Sequence, residues 1–319
     1  MNFIKKIVRA INKRFQNSKV FYTNEIKQEI DHLKVLSAKS NIEINRTKTT
    51  LNIEDYEFKV FSQFGEDGII NFLIEKTKIQ QDEKYFIEFG VGDYTECNSK
   101  FLLINNYWNG LVIEGDYNSF IKIKNSQYCW KYGLKVINKW IKNNNIKQII
   151  EENIEQKKIG LLSIDIDGND YWIWKEINNI NPIILIIEWN SLFGKKENIT
   201  IPYDEKFVRE EKHFSGQYWG ASISALAALG KKKGYSLIGS NSAGNNLFFV
   251  RSDRKQNLVE RLPREAYRKQ IFSDSRDKNK KLNFLNNSSK IKQIENLEVL
   301  DLEKNQLIKI SDLNLIQND

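Results

Sequence analysis

Two cysteines, Cys97 and Cys129, and two histidines, His32 and His213, are all that the 319 residues contain. So few cysteines exclude a disulfide framework and a cysteine-held metal cluster, and two histidines exclude a multi-histidine metal centre. No apolar run approaches the roughly 20 residues that span a bilayer. The first residues are basic but lack an apolar core followed by a small-residue cleavage site. Together these absences predict a cytoplasmic location. Several motifs of known chemistry are also missing: a P-loop, G-x-S-x-G, N-P-P-Y or D-P-P-Y, and any Pro-Cys pair.

What is present is globular in character, with 40% hydrophobic and 12% aromatic residues. A net charge of +8 fits acidic partners such as anionic lipid, nucleic acid or a phosphorylated sugar. The abundance of Asn, Lys and Ile offers a second, purely compositional source for that charge. Residues 1–20 place Phe3, Ile4, Ile7, Val8, Ile11 and Phe15 on one helical face, with Lys5, Lys6, Arg9 and Lys13 opposite. Such a helix either lies on an anionic membrane, at its inner face, or docks on its own domain or on a second copy in a homo-oligomer. A polar helix over 22–46 and a linker at 47–50 complete an N-terminal helical region, 1–50.

From Phe58 the pattern becomes that of a compact domain, 51–253. A helix over 66–78 precedes apolar strands at 84–89, 110–114, 133–138, 159–165, 183–188, 235–239 and 246–251. Helices are predicted between them at about 97–106, 118–126, 144–156, 170–178 and 220–232. Alternation with two-sided apolar strands predicts a Rossmann-like, doubly wound, mostly parallel seven-stranded sheet. The last two strands, joined by residues 239–245, suit an antiparallel hairpin at its end. Residues 254–319 turn charged and irregular and read as a small accessory appendage, with a helix near 264–271 and a hairpin at 297–301 and 306–310.

The run Tyr85–Phe89, Gly90-Val91-Gly92, and the later Leu111-Val112-Ile113-Glu114 carry the first chemistry. A strand ending in an acid and a G-x-G turn lets backbone approach a nucleoside, and an acid ending the next strand accepts from two ribose hydroxyls. Thr95 stands where a dinucleotide fingerprint has its third glycine. That departure disfavours a pyrophosphate at the helix N-terminus. S-adenosyl-L-methionine (SAM), which has no phosphate, tolerates the change, and its cationic amino-acid end suits Glu88; the alternative is a tight strand-to-helix turn without ligand.

Four segments then form a recognisable set: Ser62-Gln63-Phe64-Gly65-Glu66-Asp67-Gly68, Ile87–Gly92, Ile164–Asp170 and Ile187-Glu188-Trp189-Asn190. The set resembles the FkbM-like group of class I SAM-dependent methyltransferases and spans about residues 58–251. The resemblance implies methylation of a hydroxyl, often in polysaccharide or natural-product pathways. It also implies that Gln63, Glu88, Gly90 and Gly92 face the methionine end, that Glu114 holds the ribose, and that Trp140 covers the adenine unless it is core. Asp167-Gly168-Asn169-Asp170 departs from the D-x-E-G-like run common in that group, which leaves the acceptor open.

Asp165 and Asp167, at the end of the fourth strand, fall on one face by period-two alternation, with Glu188 and Asn190 at the matching end of the fifth. Three carboxylates there suit either Mg²⁺ or Mn²⁺ held by Asp165, Asp167 and Glu188, or a general base without metal. They resemble the acids of macrocin-type sugar O-methyltransferases, which are metal-dependent. Asp170 is expected to cap a helix. His213, in an aromatic loop with Tyr218 and Trp219 and near Tyr203 and Asp204, is expected to cover the site and act as base or acceptor contact. Residues 240–246 offer amides and hydroxyls for a sugar.

These features lead to a SAM-dependent O-methyltransferase acting on a saccharide or glycoconjugate. Two alternatives stay beside it: a nucleic-acid methyltransferase using the basic surface, and a non-catalytic Rossmann-like scaffold in a polysaccharide assembly.

Overall fold

The computed structural model describes residues 26–156 and 158–315. The helix expected over 1–20 lies outside the described residues. The chain divides into two compact units between Lys48 and Thr49. In the first, residues 26–46 form one helix, α1.

The second unit is built on a seven-stranded sheet. Its strands are β1 (Tyr85–Phe89), β2 (Asn109–Glu114), β3 (Lys135–Asn138), β4 (Leu161–Ile164), β5 (Ile184–Glu188), β7 (Tyr235–Ser240) and β8 (Asn246–Arg251). A short β6 (Ile199–Thr200) belongs to a separate sheet. The order is β3-β2-β1-β4-β5-β8-β7, parallel except for β8, which runs antiparallel to both β5 and β7. All seven predicted strands are present, as is the terminal hairpin.

Helices cover both faces: α2 (Glu66–Thr77), α3 (Lys100–Asn106), α4 (Tyr117–Lys124), α5 (Gln127–Tyr132), α6 (Ile146–Asn153), α7 (Asp170–Glu176), α8 (Arg209–Lys212) and α9 (Ile223–Lys232). Strand alternation explains why both faces need cover. Ile87, Phe89, Leu111 and Ile113 point into one core with Ile146, Trp174 and Leu226, while Phe86 and Val112 point into the other with Ile69, Leu73 and Leu102. Sequence reasoning missed α5, in which no residue is buried, and the four-residue α8.

The C-terminal residues contribute α10 (Pro263–Ala266), α11 (Asn287–Ile294), β9 (Glu298–Asp301) and β10 (Gln306–Lys309). The expected hairpin forms, whereas the helix near 264–271 shrinks to four residues because Tyr267 turns extended. β9 also pairs antiparallel with β6, and Ile291, Ile294 and Val299 share a third core with Phe193, Ile199, Phe207 and Trp219. The C-terminal segment is therefore woven into the loop region that follows β5. No helix among the described residues is long and apolar enough to cross a membrane.

Candidate active site

The carboxyl ends of β1, β2, β4 and β5 converge on one edge, where open α/β sheets bind ligands. Two cavities lie there. One, of about 280 Å³, is lined by Glu114, Trp140, Ile141, Phe207 and Arg209; the other, of about 530 Å³, by Gln63, Glu88, Cys97, Asn98 and Asn246. Gly90, Gly92 and Asp165 line both.

The two glycines have different reasons. Gly90 has φ +70° and lies so close to β4 that an added Cβ would sit 1.7 Å from the Asp165 carbonyl oxygen. Gly92 also has positive φ (+53°), yet a Cβ there meets nothing within 4 Å, so its turn faces open space. Glu114 accepts from the Asp116 amide at 2.7 Å and is largely buried, and that burial raises its pKa. Trp140 is half exposed, lies against Gly115, and donates from Nε1 to the Glu205 carbonyl at 3.2 Å.

Glu88 is buried with each oxygen engaged: the Asn98 amide donates to one at 2.7 Å and the Ser99 amide to the other at 2.9 Å. It thus fixes the entry to α3 while lining the larger cavity. Gln63 projects from a loop held by the two acids that follow it. Glu66 accepts from the Phe64 and Gly65 amides, both at 2.9 Å, and from the side-chain amides of Asn241 and Asn246 at 2.7 and 3.0 Å. One oxygen of Asp67 accepts from the amides of Val60, Phe61 and Ser62, each at 2.8 Å. Burial nevertheless pushes Asp67 up to about 6.

Asp165, Asp167 and Glu188 come together, with carboxylate oxygens within 4.8 Å of one another. The reason differs from the expected one. β4 ends at Ile164, so strand alternation does not align the two aspartates. A turn does, with Asp167 at φ +58°. Asp170, the first residue of α7, holds that turn by accepting from the Ile166 and Gly168 amides, both at 2.9 Å. The expected helix cap is thus not its role, since the N-cap of α7 is Asn169 and Asp170 bonds the turn before the helix instead; burial raises it to about 7. Burial first, then repulsion from Asp167 and Asp170 at Asp165 and from Asp165 and Asp167 at Glu188, pushes both well above the carboxylate range. Glu188 Oε2 is buried and has no hydrogen-bond partner among the described residues.

The countercharge is Arg209, which sequence reasoning missed. Its Nη1 reaches Asp167 at 3.1 Å, Nη2 reaches Asp274 at 2.8 Å, and Nε donates to the Gly216 carbonyl at 2.7 Å. The guanidinium lies 4.5 Å from the Trp219 ring centroid. Burial opposes its charge, but Glu188, Asp167 and Asp274 outweigh that and keep it cationic. In the sequence, Val208-Arg209-Glu210-Glu211-Lys212 looks like a solvated charge run, and Asp274 sits in the charged tail. Nothing local marks either residue.

The expected roles of the neighbouring loop change accordingly. His213 lines neither cavity: its Nδ1 meets Ser215 Oγ at 2.7 Å, its ring packs on Phe214, and burial lowers its pKa. The loop delivers Arg209 in its place. Trp219 is buried beneath Arg209, and the Tyr218 hydroxyl donates to the Glu298 carbonyl, so neither faces a sugar. Tyr203 accepts from the Asn143 amide at 3.1 Å, and Asp204 pairs with Lys212, which ties the loop down over the smaller cavity. In the 240–246 loop, Asn241 bonds Glu66 and Asn245 while Ser242 bonds Glu57, so much of the turn is tied to the 57–66 segment, and Asn246 lines the larger cavity.

No family model and no curated protein matches the chain. Among solved structures it is similar to the N-terminal domain of EvdMO1 with SAH bound, at 9% identity and TM-score 0.39, over 65% of this chain and 94% of that one. It is also similar to a putative caffeoyl-CoA O-methyltransferase from Staphylococcus aureus, at 15% identity and TM-score 0.39, over 68% and 91%. A third is a putative O-methyltransferase from Klebsiella pneumoniae, at 11% identity and TM-score 0.36, over 68% and 88%. The fold class, a Rossmann-like doubly wound sheet with a terminal antiparallel hairpin, rests on the strand order and register of this chain.

Proposed function

We propose that the protein is a SAM-dependent methyltransferase acting on a hydroxyl of a saccharide or glycoconjugate, in surface-polysaccharide biosynthesis. The observation that carries the reading is the meeting of two cavities at Gly90, Gly92 and Asp165. A cofactor with a nucleoside at one end and an amino acid at the other needs such a divided cradle. The smaller cavity offers Glu114 for ribose hydroxyls and Trp140 for a purine face. The larger one offers Glu88, Gln63 and Asn246 to a cationic amino acid.

SAM, when bound, supplies an electrophilic methyl group. This chain's residues would align the acceptor hydroxyl and take its proton. Asp165 is placed for the proton, since it lines both cavities at the end of β4. Holding donor and acceptor together supplies much of the acceleration. Asp165, Asp167 and Glu188 also fit Mg²⁺ or Mn²⁺, because all are hard oxygen donors and Glu188 Oε2 has no other partner among the described residues. Such an ion would acidify the hydroxyl.

The test is methyl-labelled SAM offered with saccharides and glycoconjugates in one arm and RNA or DNA in the other. Label in a saccharide product that is lost in Asp165→Asn supports the reading. Label only in nucleic acid, or in no acceptor, contradicts it.

A further inference from the structure

From Tyr117 to Ile150 the chain has seven lysines and no Asp or Glu. With 41 acids in 319 residues, a stretch of that length would ordinarily carry about four. The segment forms α4, α5 and β3, the last being an edge strand of the main sheet. α4 packs on both α5 and β3, which brings Lys124, Lys131 and Lys135 to that end of the sheet, while Lys147 lies on α6 at the opposite face.

Three of the seven meet a carboxylate: Lys122 and Asp93 at 3.8 Å, Lys142 and Glu205 at 2.5 Å, Lys147 and Glu176 at 3.9 Å. Lys124, Lys131, Lys135 and Lys139 are exposed and have no ion-pair partner among the described residues. Large aromatic side chains stand among them. Trp130 is 79% exposed, Tyr107 is 76% exposed, and Tyr117 is 63% exposed. Tyr107 and Tyr132 lie with ring centroids 6.4 Å apart, and Lys131 covers the Tyr132 ring.

A protein that keeps a tryptophan and two tyrosines in water beside uncompensated lysines has a surface matched to a negatively charged interface. The rings suit the boundary between headgroups and acyl chains, and the ammonium groups suit the phosphates. The residues lie at the outer edge of the sheet, on two helices, a strand and their connections. A single-stranded nucleic acid would call for a groove with ring faces lining it. Lys139 and Trp140, from the same segment, line the smaller cavity of the site.

We propose that this edge docks on an anionic lipid bilayer. The inference stands on exposure and charge, independently of the methyltransferase reading. The full chain is tested by sedimentation with vesicles of phosphatidylcholine alone, with vesicles that also contain phosphatidylglycerol, and with single-stranded RNA as competitor. Binding to the anionic vesicles that salt weakens is expected. The combined variant Lys124→Gln, Trp130→Ala, Lys131→Gln, Lys135→Gln should bind them at least ~10-fold more weakly with an unchanged thermal midpoint. A second variant, replacing Lys5, Lys6, Arg9 and Lys13 by Gln, separates the contribution of the N-terminal residues. Equal binding to both vesicle types, wild-type binding by the edge variant, or RNA displacing the vesicles would each overturn the proposal.

Discussion

Asp274, far along the C-terminal segment, accepts from Arg209 Nη2 at 2.8 Å while Nη1 of the same guanidinium meets Asp167 at 3.1 Å. One arginine thus links the tail of the chain to the carboxylates that end β4 and β5. Without it, three clustered carboxyls would lose their only strong countercharge among the described residues.

Arg209→Leu is therefore expected to destabilise the protein by about 1–3 kcal/mol at pH 8, less than for a fully buried pair because Asp167 and Asp274 remain partly in water. The loss should shrink toward pH 5, as Asp165 and Glu188, whose pKa values burial raises, take up protons and need less countercharge. Denaturant unfolding at the two pH values measures this. A loss below ~1 kcal/mol at pH 8 would contradict the role.

The two glycines of the turn should separate in their effects. Gly90→Ala drives a Cβ into the Asp165 carbonyl at 1.7 Å and should prevent stable folding. Gly92→Ala meets nothing within 4 Å, so it should cost only the ~1–2 kcal/mol of a left-handed alanine. Its methyl group would still intrude on the cavities and weaken SAM. Thermal melts and SAM titration of both variants distinguish strain from occlusion.

Much of the fold was legible because its strands are apolar on both faces and the acids fall at their ends. Glu88, Glu114, Asp165, Asp167 and Glu188 all lie at the edge that the pattern predicted. What was not legible depends on contacts distant in sequence. Arg209 and Asp274 look like surface charge until the fold seats Arg209 on Trp219 and brings Asp274 within 2.8 Å of it. His213 is expected at the site because its aromatic loop covers the carboxyl edge, but its ring is taken up by Ser215 and Phe214. The C-terminal segment looked detached because β9 finds its second partner, β6, about a hundred residues upstream.

Asp67 gives a pH signature. Its folded value of about 6 lies above the unfolded reference of 3.8, so the folded state binds its proton more tightly. The stability this contributes is full below about pH 4 and is lost as pH rises through 6, by up to about 3 kcal/mol at 1.36 kcal/mol per pKa unit. The wild type's stability relative to Asp67→Asn should accordingly decline between pH 4 and pH 6. A flat difference across that window would remove the assignment.

Trp140 is half exposed and its loss leaves little strain, so Trp140→Ala should keep the thermal midpoint within a few degrees. If its ring covers the purine, SAM affinity should fall ~10-fold, the size of a good aromatic contact. Unchanged affinity would assign the ring to holding the loop at Glu205 alone.

The most direct test of the central claim is calorimetric titration of the protein with SAM, with Glu114→Ala beside it. The divided cradle predicts one molecule bound per chain, and a loss of ~10-fold or more in the variant as the ribose loses its charged acceptor. No binding to the wild type, or equal binding by the variant, would contradict it.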